Sequence, residues 1–507
     1  MKPASASVTS HHVAKGVGTT MLARLAGVID VVAQPLYVWL FGIASYGLYT
    51  VLWALVNLIE NVADLGMTSA LQRTVPQAET DADAVASLAA ALALGVFPCL
   101  LIAIIVSLVA PQIAPLFNVA EHDQAQLVFA IRLFVWALPL WAFVEIATSS
   151  LRARRLFGPE IRLRLFWEQV VRLVLAIALW AAGFGITGLF MAHIISLAVT
   201  CGLAARMLGR HYRLDLIGKA HFGGPIMRDT LKAGLSVLPT NIVAQLFTDG
   251  PPVLLNVILP GVGGATAAGL YGIARKIASI IQLFRTAFAY VLAPLASAAA
   301  NGNRAEVQPL YAFTTRLSSA LVIPLAAVMA AGAPAILRLF GPAAAVAAGP
   351  LVILILARLV EAMAGAAKPV QQVVSGYGQQ VHASVIGLVL AAVLLPLAIR
   401  LDPLNGTAGA VAVGLIAVAT IPVWQLRRTD NLHPFEPPFL RVILVALGVA
   451  LAAFPLALAV SLLLPAWLQL PLLLPILLVS VWCSCRIALP EHDRVALGKT
   501  AIKLRLL

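Results

Sequence analysis

The chain has 507 residues, 61% of them hydrophobic and only 11% charged, with a mean hydropathy of +0.97 and a formal net charge of +13. Neither a water-soluble globule nor a disordered chain carries so much apolar side chain for so few charges. Apolar runs of twenty or more residues argue against barrel strands, which alternate over about ten residues, and the four cysteines (Cys99, Cys201, Cys483, Cys485) have neither metal nor disulfide-framework spacing.

The expectation is an all-α polytopic membrane protein of about fourteen transmembrane helices, since about 20 apolar residues span the hydrocarbon core. The spans fall at roughly 15–42, 45–70, 85–110, 125–151, 162–182, 184–206, 231–259, 264–298, 307–340, 346–375, 380–400, 405–426, 439–464 and 467–487. The polar first 13 residues lack a cleavage pattern after a short apolar core, so the first span is expected to be retained. The first two spans carry charges at membrane depth: Arg24 and Asp30, then Glu60 and Asp64. In the second, Asn57, Glu60, Asn61, Asp64 and Thr68 share one helical face, which gives it a lipid side and a wet side. Arg24, roughly 13 Å along its helix from Lys15, has no acid three or four residues away and is a candidate substrate or gating residue.

Loop charge sets the orientation. Arg152, Arg154, Arg155, Arg162, Arg164, Arg206, Arg210, Arg213, Lys219, Arg228 and Lys232 fall on one side, and only Arg338 and Arg400 on the other, which predicts cytoplasmic termini. Such loops face anionic headgroups, so membrane lipids explain the basicity and no nucleic-acid partner is expected. The motif Asp30, turn, Gly47-Leu48-Tyr49 recurs as Asp249, turn, Gly269-Leu270-Tyr271 six spans later. An even number of intervening spans preserves orientation, which predicts two pseudo-symmetric six-helix lobes, 1–206 and 231–428, joined by a basic linker at 207–230. Residues 429–507 would add helices 13 and 14 and a tail, and these last two spans carry no charge at depth, as expected of a lipid-facing addition.

Further polar faces follow along the chain. Span seven has Asn241, Gln245, Asp249 and Asn256. Span eight has Arg275, Ser279, Gln282 and Thr286, flanked by Lys276 and Arg285. Span ten has Arg358, Glu361, Gly365, Lys368 and Gln372. Basic residues prevail in the second lobe and acids in the first. The bases Arg24, Arg275, Lys276, Arg285, Arg358 and Lys368 suit a phosphate bearing a greasy tail. The acids Asp30, Glu60, Asp64 and Asp249 are candidates to couple transport to H+ or Na+ or to gate it. The simpler reading of Glu168–Arg172 and Arg358–Glu361 is an intrahelical ion pair; Glu60 and Asp64 could be solvated near a span end, and Asp30 and Asp249 could brace helices. No cofactor, bound metal or catalytic residue is expected.

Arg24-x-x-Gly27, Phe41-Gly42, Tyr46-Gly47-x-Tyr49, Asp64-Leu65-Gly66 and Gln72-Arg73, with Asp249 and Gly269-Leu270-Tyr271-x-x-Ala274-x-Lys276, resemble the polysaccharide-transporter (Wzx-type) flippases of the multidrug/oligosaccharidyl-lipid/polysaccharide exporter superfamily. The resemblance spans roughly 15–425. It implies two lobes around a cavity lined by helices one, two, seven and eight. It also implies alternating-access flipping of an undecaprenyl-pyrophosphate-linked oligosaccharide, an O-antigen or exopolysaccharide unit, across a bacterial inner membrane, with ion coupling in several members and polysaccharide-assembly proteins as partners. Arg24 matches an arginine tied to substrate in the related peptidoglycan-precursor flippases, and the acid-rich second helix departs from the pattern. The alternatives are such a precursor flippase, a drug/cation antiporter of the same superfamily, and a membrane glycan polymerase or ligase. The last generally needs a sizeable outer loop, and the richest outer segment here is Glu121-His122-Asp123.

Overall fold

The computed structural model describes residues 28–300, 307–375, 377–435, 437–497, 501, 502 and 505, except 157, 159, 160 and 220–223. Their contacts define two compact units, Arg24–Gly272 and Ile273–Leu507. The first holds α1 (Val28–Phe41), α2 (Ile43–Ala63), α3 (Met67–Thr74), α4 (Asp81–Ile113), α5 (Gln124–Phe134), α6 (Ala137–Ala153), α7 (Glu168–Ala181), α8 (Gly185–His211), α9 (Pro225–Ile258) and the start of α10 (Gly261–Ala300). A π-helical turn, Ile161–Trp167, leads into α7. The second holds the rest of α10, then α11 (Val307–Ala331), α12 (Ala333–Arg338), α13 (Ala348–Met363), α14 (Ala367–Val374), α15 (Tyr377–Leu401), α16 (Pro403–Thr429), α17 (Pro437–Leu463), α18 (Ala466–Ala488) and α19 (Glu491–Ala496). The contact boundary falls inside α10, not at the basic segment 207–230, and α9 packs in the first unit against α2, α3 and α4.

Each expected span is helical where it is described, and ten of the described helical stretches are long and apolar enough to cross a membrane. Several spans expected as one helix are broken in two. Span 45–70 is α2 plus α3, because Gly66 takes φ +75°, a left-handed value that no continuing helix uses. A Cβ there would also sit 2.4 Å from the Gly234 carbonyl oxygen of α9, so glycine permits both the break and the crossing. Span 346–375 is α13 plus α14, broken at Gly365 with φ +65°, where a Cβ would come 2.5 Å from Thr315 Oγ1 of α11. Helix α4 starts earlier than expected because Thr80 and Asp83 form a reciprocal capping box.

The Gly-Leu-Tyr repeats meet in space. A Cβ on Gly47 would lie 1.8 Å from the Ala265 oxygen, and one on Gly269 would lie 2.6 Å from the Ile43 oxygen. Small residues let membrane helices cross at backbone contact, where packing rather than hydrophobic transfer supplies the attraction. Nearby, Asn118 and Asn256 clasp the α4–α5 connection to α9: Asn118 Nδ2 donates to the Asn256 carbonyl at 2.7 Å and Asn256 Nδ2 to that of Asn118 at 2.6 Å.

In the second unit α11 is buried along most of its length and packs on α13, α17 and α18. Helix α17 buries Ala446, Ala450, Ala453 and Ala457 and exposes Leu444, Leu451 and Leu456, an inward small-residue stripe and an outward apolar one. Arg316 of α11, an intramembrane base without a sequence-local acid, is matched from far along the chain. Its Nε and a terminal nitrogen donate to the Asp493 carboxylate of α19 at 2.6 and 2.9 Å, both residues being buried.

Candidate functional site

The second unit gathers three of the predicted substrate bases around one acid. Glu361 sits near the end of α13, and the Gly365 break turns the chain so that Lys368 begins α14 one turn beyond. Arg358 donates to Glu361 Oε2 at 2.6 Å, the expected intrahelical pair. Arg285 Nε, arriving from α10, lies 3.3 Å from Glu361 Oε1, and Lys368 is within electrostatic reach of the same carboxylate. Arg358 and Glu361 are buried and Arg285 largely so. Three cations and one carboxylate leave an excess of two positive charges in low-dielectric surroundings, where an added anion gains most. Arg275 and Lys276 are half-buried on α10 about 15 Å along the helix from Arg285 and form a separate pair of charges. Arg24 lies outside the described residues.

The predicted acids separate by environment. Asp64 ends α2, and its carboxylate accepts from Met67 N at 2.7 Å, Thr68 Oγ1 at 2.7 Å and Thr68 N at 3.3 Å, so it caps α3 across the Gly66 break. Glu60, one turn earlier, is buried, and its Oε1 has no hydrogen-bond partner. Glu145 of α6 holds Arg164 of the π-helical turn in a two-point pair at 2.7 and 3.0 Å, and that guanidinium stacks on Trp141. Asp249 is buried on α9 and accepts from Gln245 one turn before it. Asp30 falls on α1, and its side chain lies outside the described residues, as does that of Gln372.

Several polar groupings had no local sequence signal. Glu168 and Arg172 pair as expected, but Arg172 also reaches the Tyr49 hydroxyl at 3.4 Å, which bonds His193 Nδ1 at 2.9 Å. His193 lies among the rings of Trp53, Phe134 and Tyr49. Gln371 links Gln379 and Gln425 at 3.0 and 2.7 Å. Asp123, read as part of an outer acidic segment, is buried and accepts from Ser45 Oγ at 2.6 Å. A serine at the start of the second predicted span, with an acid in a distant loop, was the only trace of that bond in the sequence.

The sequence profile of a family described as "Polysaccharide biosynthesis protein" matches residues 39–343. No curated protein matches the chain. Among solved structures, the lipid II flippase MurJ in an inward closed conformation is similar at a TM-score of 0.72 and 13% identity, over 92% of this chain and 98% of that one. The Vibrio cholerae MATE transporter VcmN in its bent form follows at 0.60 and 16%, over 83% and 98%. A MOP-superfamily transporter from Pyrococcus furiosus matches at 0.61 and 16%, over 85% and 99%. At these identities the likeness is one of fold.

Proposed function

The chain belongs to the family of polysaccharide biosynthesis proteins, and on that premise we propose that it is a non-enzymatic flippase carrying an undecaprenyl-pyrophosphate-linked oligosaccharide, an O-antigen or exopolysaccharide unit, from the cytoplasmic to the outer leaflet of a bacterial inner membrane. The observation that carries this reading is the buried Arg285–Arg358–Lys368 group around Glu361, whose two excess positive charges match a diphosphate. Arg24, Arg275 and Lys276 are assigned to the same substrate, with the polyprenyl tail left in lipid. The lobes 1–206 and 231–428 are the parts that move, both termini facing the cytoplasm. Helix α9 would then part from α3 at the Gly66–Gly234 crossing, and α10 from α2 at the Gly47–Gly269 crossing, as access alternates.

The test is binding and export together. Arg285→Ala, Arg358→Ala and Lys368→Ala should each weaken binding of undecaprenyl diphosphate by about tenfold, on the scale of one charge-assisted hydrogen bond lost, and cut glycan export at normal protein level. Arg24→Ala and Arg275→Ala should reduce export likewise. Unchanged binding and export across the set would overturn the reading. A second reading, a drug/cation antiporter, is favoured by the MATE-type fold and by the acids around Glu60. It predicts that loss of the protein alters sensitivity to cationic drugs and leaves polyprenyl-linked glycans in place.

A further inference from the structure

The charge group around Glu361 depends on a break in the chain, and that break is held from outside. Glu361 lies near the end of α13 and Lys368 begins α14, with Gly365 between them at φ +65°. A left-handed residue interrupts the helical hydrogen-bond ladder, so other groups must fix the angle between the two pieces. Two of them come from α11. Ser318 Oγ donates to the Ala362 carbonyl at 3.0 Å, the same oxygen that accepts from Gly365 N at 3.1 Å. Thr315 packs so closely that a Cβ on Gly365 would lie 2.5 Å from its Oγ1. The register of α11 along the break therefore sets the direction in which α14 leaves.

Helix α11 is itself tied on another face by α19. Arg316 follows Thr315 by one residue, a turn of roughly 100° about the helix axis, and makes its two-point pair with Asp493. Such a pair fixes orientation as well as distance. Beside it, Ser484 Oγ of α18 donates to the Ala320 carbonyl at 2.7 Å. Ala367 and Val370 of α14 share one buried cluster with Tyr311 of α11 and with Leu489 and Ala501, which lie on either side of α19 in sequence. A buried ion pair contributes little net stability over apolar residues of the same volume. What a charged pair adds at this position is geometry.

We propose that α19 is a positioning element of the diphosphate site: docked through Asp493 on Arg316, it holds α11 in the register that sets the α13–α14 break and so places Lys368. The proposal rests on the reading above for its ligand. Arg358 and Glu361 precede the break on α13, whereas Lys368 follows it on α14. Loss of the Asp493–Arg316 pair frees α11 to turn, takes Ser318 and Thr315 off the break, and lets Lys368 leave the ligand while Arg358 stays. Asp493 and Arg316 touch no ligand; they act through Lys368.

The test uses the purified full-length protein with undecaprenyl diphosphate as the probe. Asp493→Asn keeps the side chain's size and removes its charge. Arg316→Met with Asp493→Leu keeps an apolar contact and removes the two-point geometry, which provides a folded protein without the pair. Each should weaken binding several-fold in the wild-type background and again in Arg358→Ala. Neither should weaken it further in Lys368→Ala, where no amine is left to misplace. Ser318→Ala should follow the same pattern from the other side of α11. Losses that add equally to Arg358→Ala and Lys368→Ala would overturn the proposal, because α19 would then be a general support of the fold. Full binding in the tail variants would overturn it too. Backbone hydrogen exchange reads the link without any ligand: amides of 362–374 should exchange faster in the tail variants, and those of 385–401 should not. Unchanged exchange at 362–374 would count against the proposal equally. If the wild type itself binds no undecaprenyl diphosphate while exchange behaves as stated, the ligand reading fails and the link from α19 to the break stands.

Discussion

At the residue scale, the meaning of a buried charge depends on whether its partner lies on the same helix. Arg358 and Glu361 are three residues apart and pair as the spacing predicts, a contact that on its own would be inert. Arg285 and Lys368 change that: one carboxylate now answers for three cations. Replacing Glu361 by Gln leaves the cations without the carboxylate that pairs with them among the described residues, and removing one partner of a buried pair costs up to about 3–5 kcal/mol. The Glu361→Gln protein should therefore melt at a lower temperature. It should also be rescued by inorganic pyrophosphate more strongly than the wild type, because a ligand binding only the folded state stabilises in proportion to its affinity. Thermal melts with and without pyrophosphate check this, and equal shifts in the two proteins would make Glu361 a plain helix staple. The Arg358–Glu361 pair was legible in the sequence. Its convergence with Arg285 was not, since nothing local to α10 specifies which residue of α13 it will face. The same holds for Glu60: its polar face was evident, but its isolation follows from where Arg164 goes.

At the element scale, glycine and caps decide where helices stop. Fourteen apolar segments were legible by length, whereas the breaks at Gly66 and Gly365 follow from backbone crossings with α9 and α11 that periodicity does not encode. Gly269→Ala should push α2 and α10 apart and cost about 1–3 kcal/mol, visible as a lower melting temperature. A neutral result would contradict the crossing. The α15–α16 turn gives a pH prediction. Asp402 caps α16, accepting from Asn405 N at 2.9 Å, Asn405 Nδ2 at 2.6 Å and Leu404 N at 3.0 Å. The Asn405 amide above all holds its carboxyl below the usual aspartate range. A depressed folded-state pKa contributes stability above the unfolded value and loses it as pH falls through the folded one. Asp402→Ala should thus cost about 1 kcal/mol at neutral pH, and the difference from wild type should shrink as the solution is acidified below the ordinary aspartate range. Denaturation at two pH values measures it.

At the scale of the whole molecule, fold class, membrane character and family were readable from composition, span length and the ordered glycine motifs, and the profile match and MurJ-like and MATE-like folds agree with that reading. The repeat Gly-Leu-Tyr was visible as a pattern; that its two copies touch is a tertiary fact. The docking of α19 was equally hidden, because Arg316 and Asp493 lie 177 residues apart. Asp493→Ala, which strands the Arg316 guanidinium among buried groups, should lower the yield of folded protein far more than Arg316→Met with Asp493→Leu together, since an apolar pair of similar volume is tolerated where half an ion pair is not. Fluorescence size-exclusion of the detergent extract reads this out. The central claim, that this fold carries a diphosphate-linked glycan across the bilayer, is tested most directly in a strain lacking the gene, by extracting polyprenyl-linked glycans after treating intact spheroplasts with an impermeant glycan-modifying enzyme. The account predicts that a completed unit accumulates and stays unmodified, trapped on the cytoplasmic face. Accumulation in the enzyme-accessible leaflet would contradict it and place the protein after the flipping step.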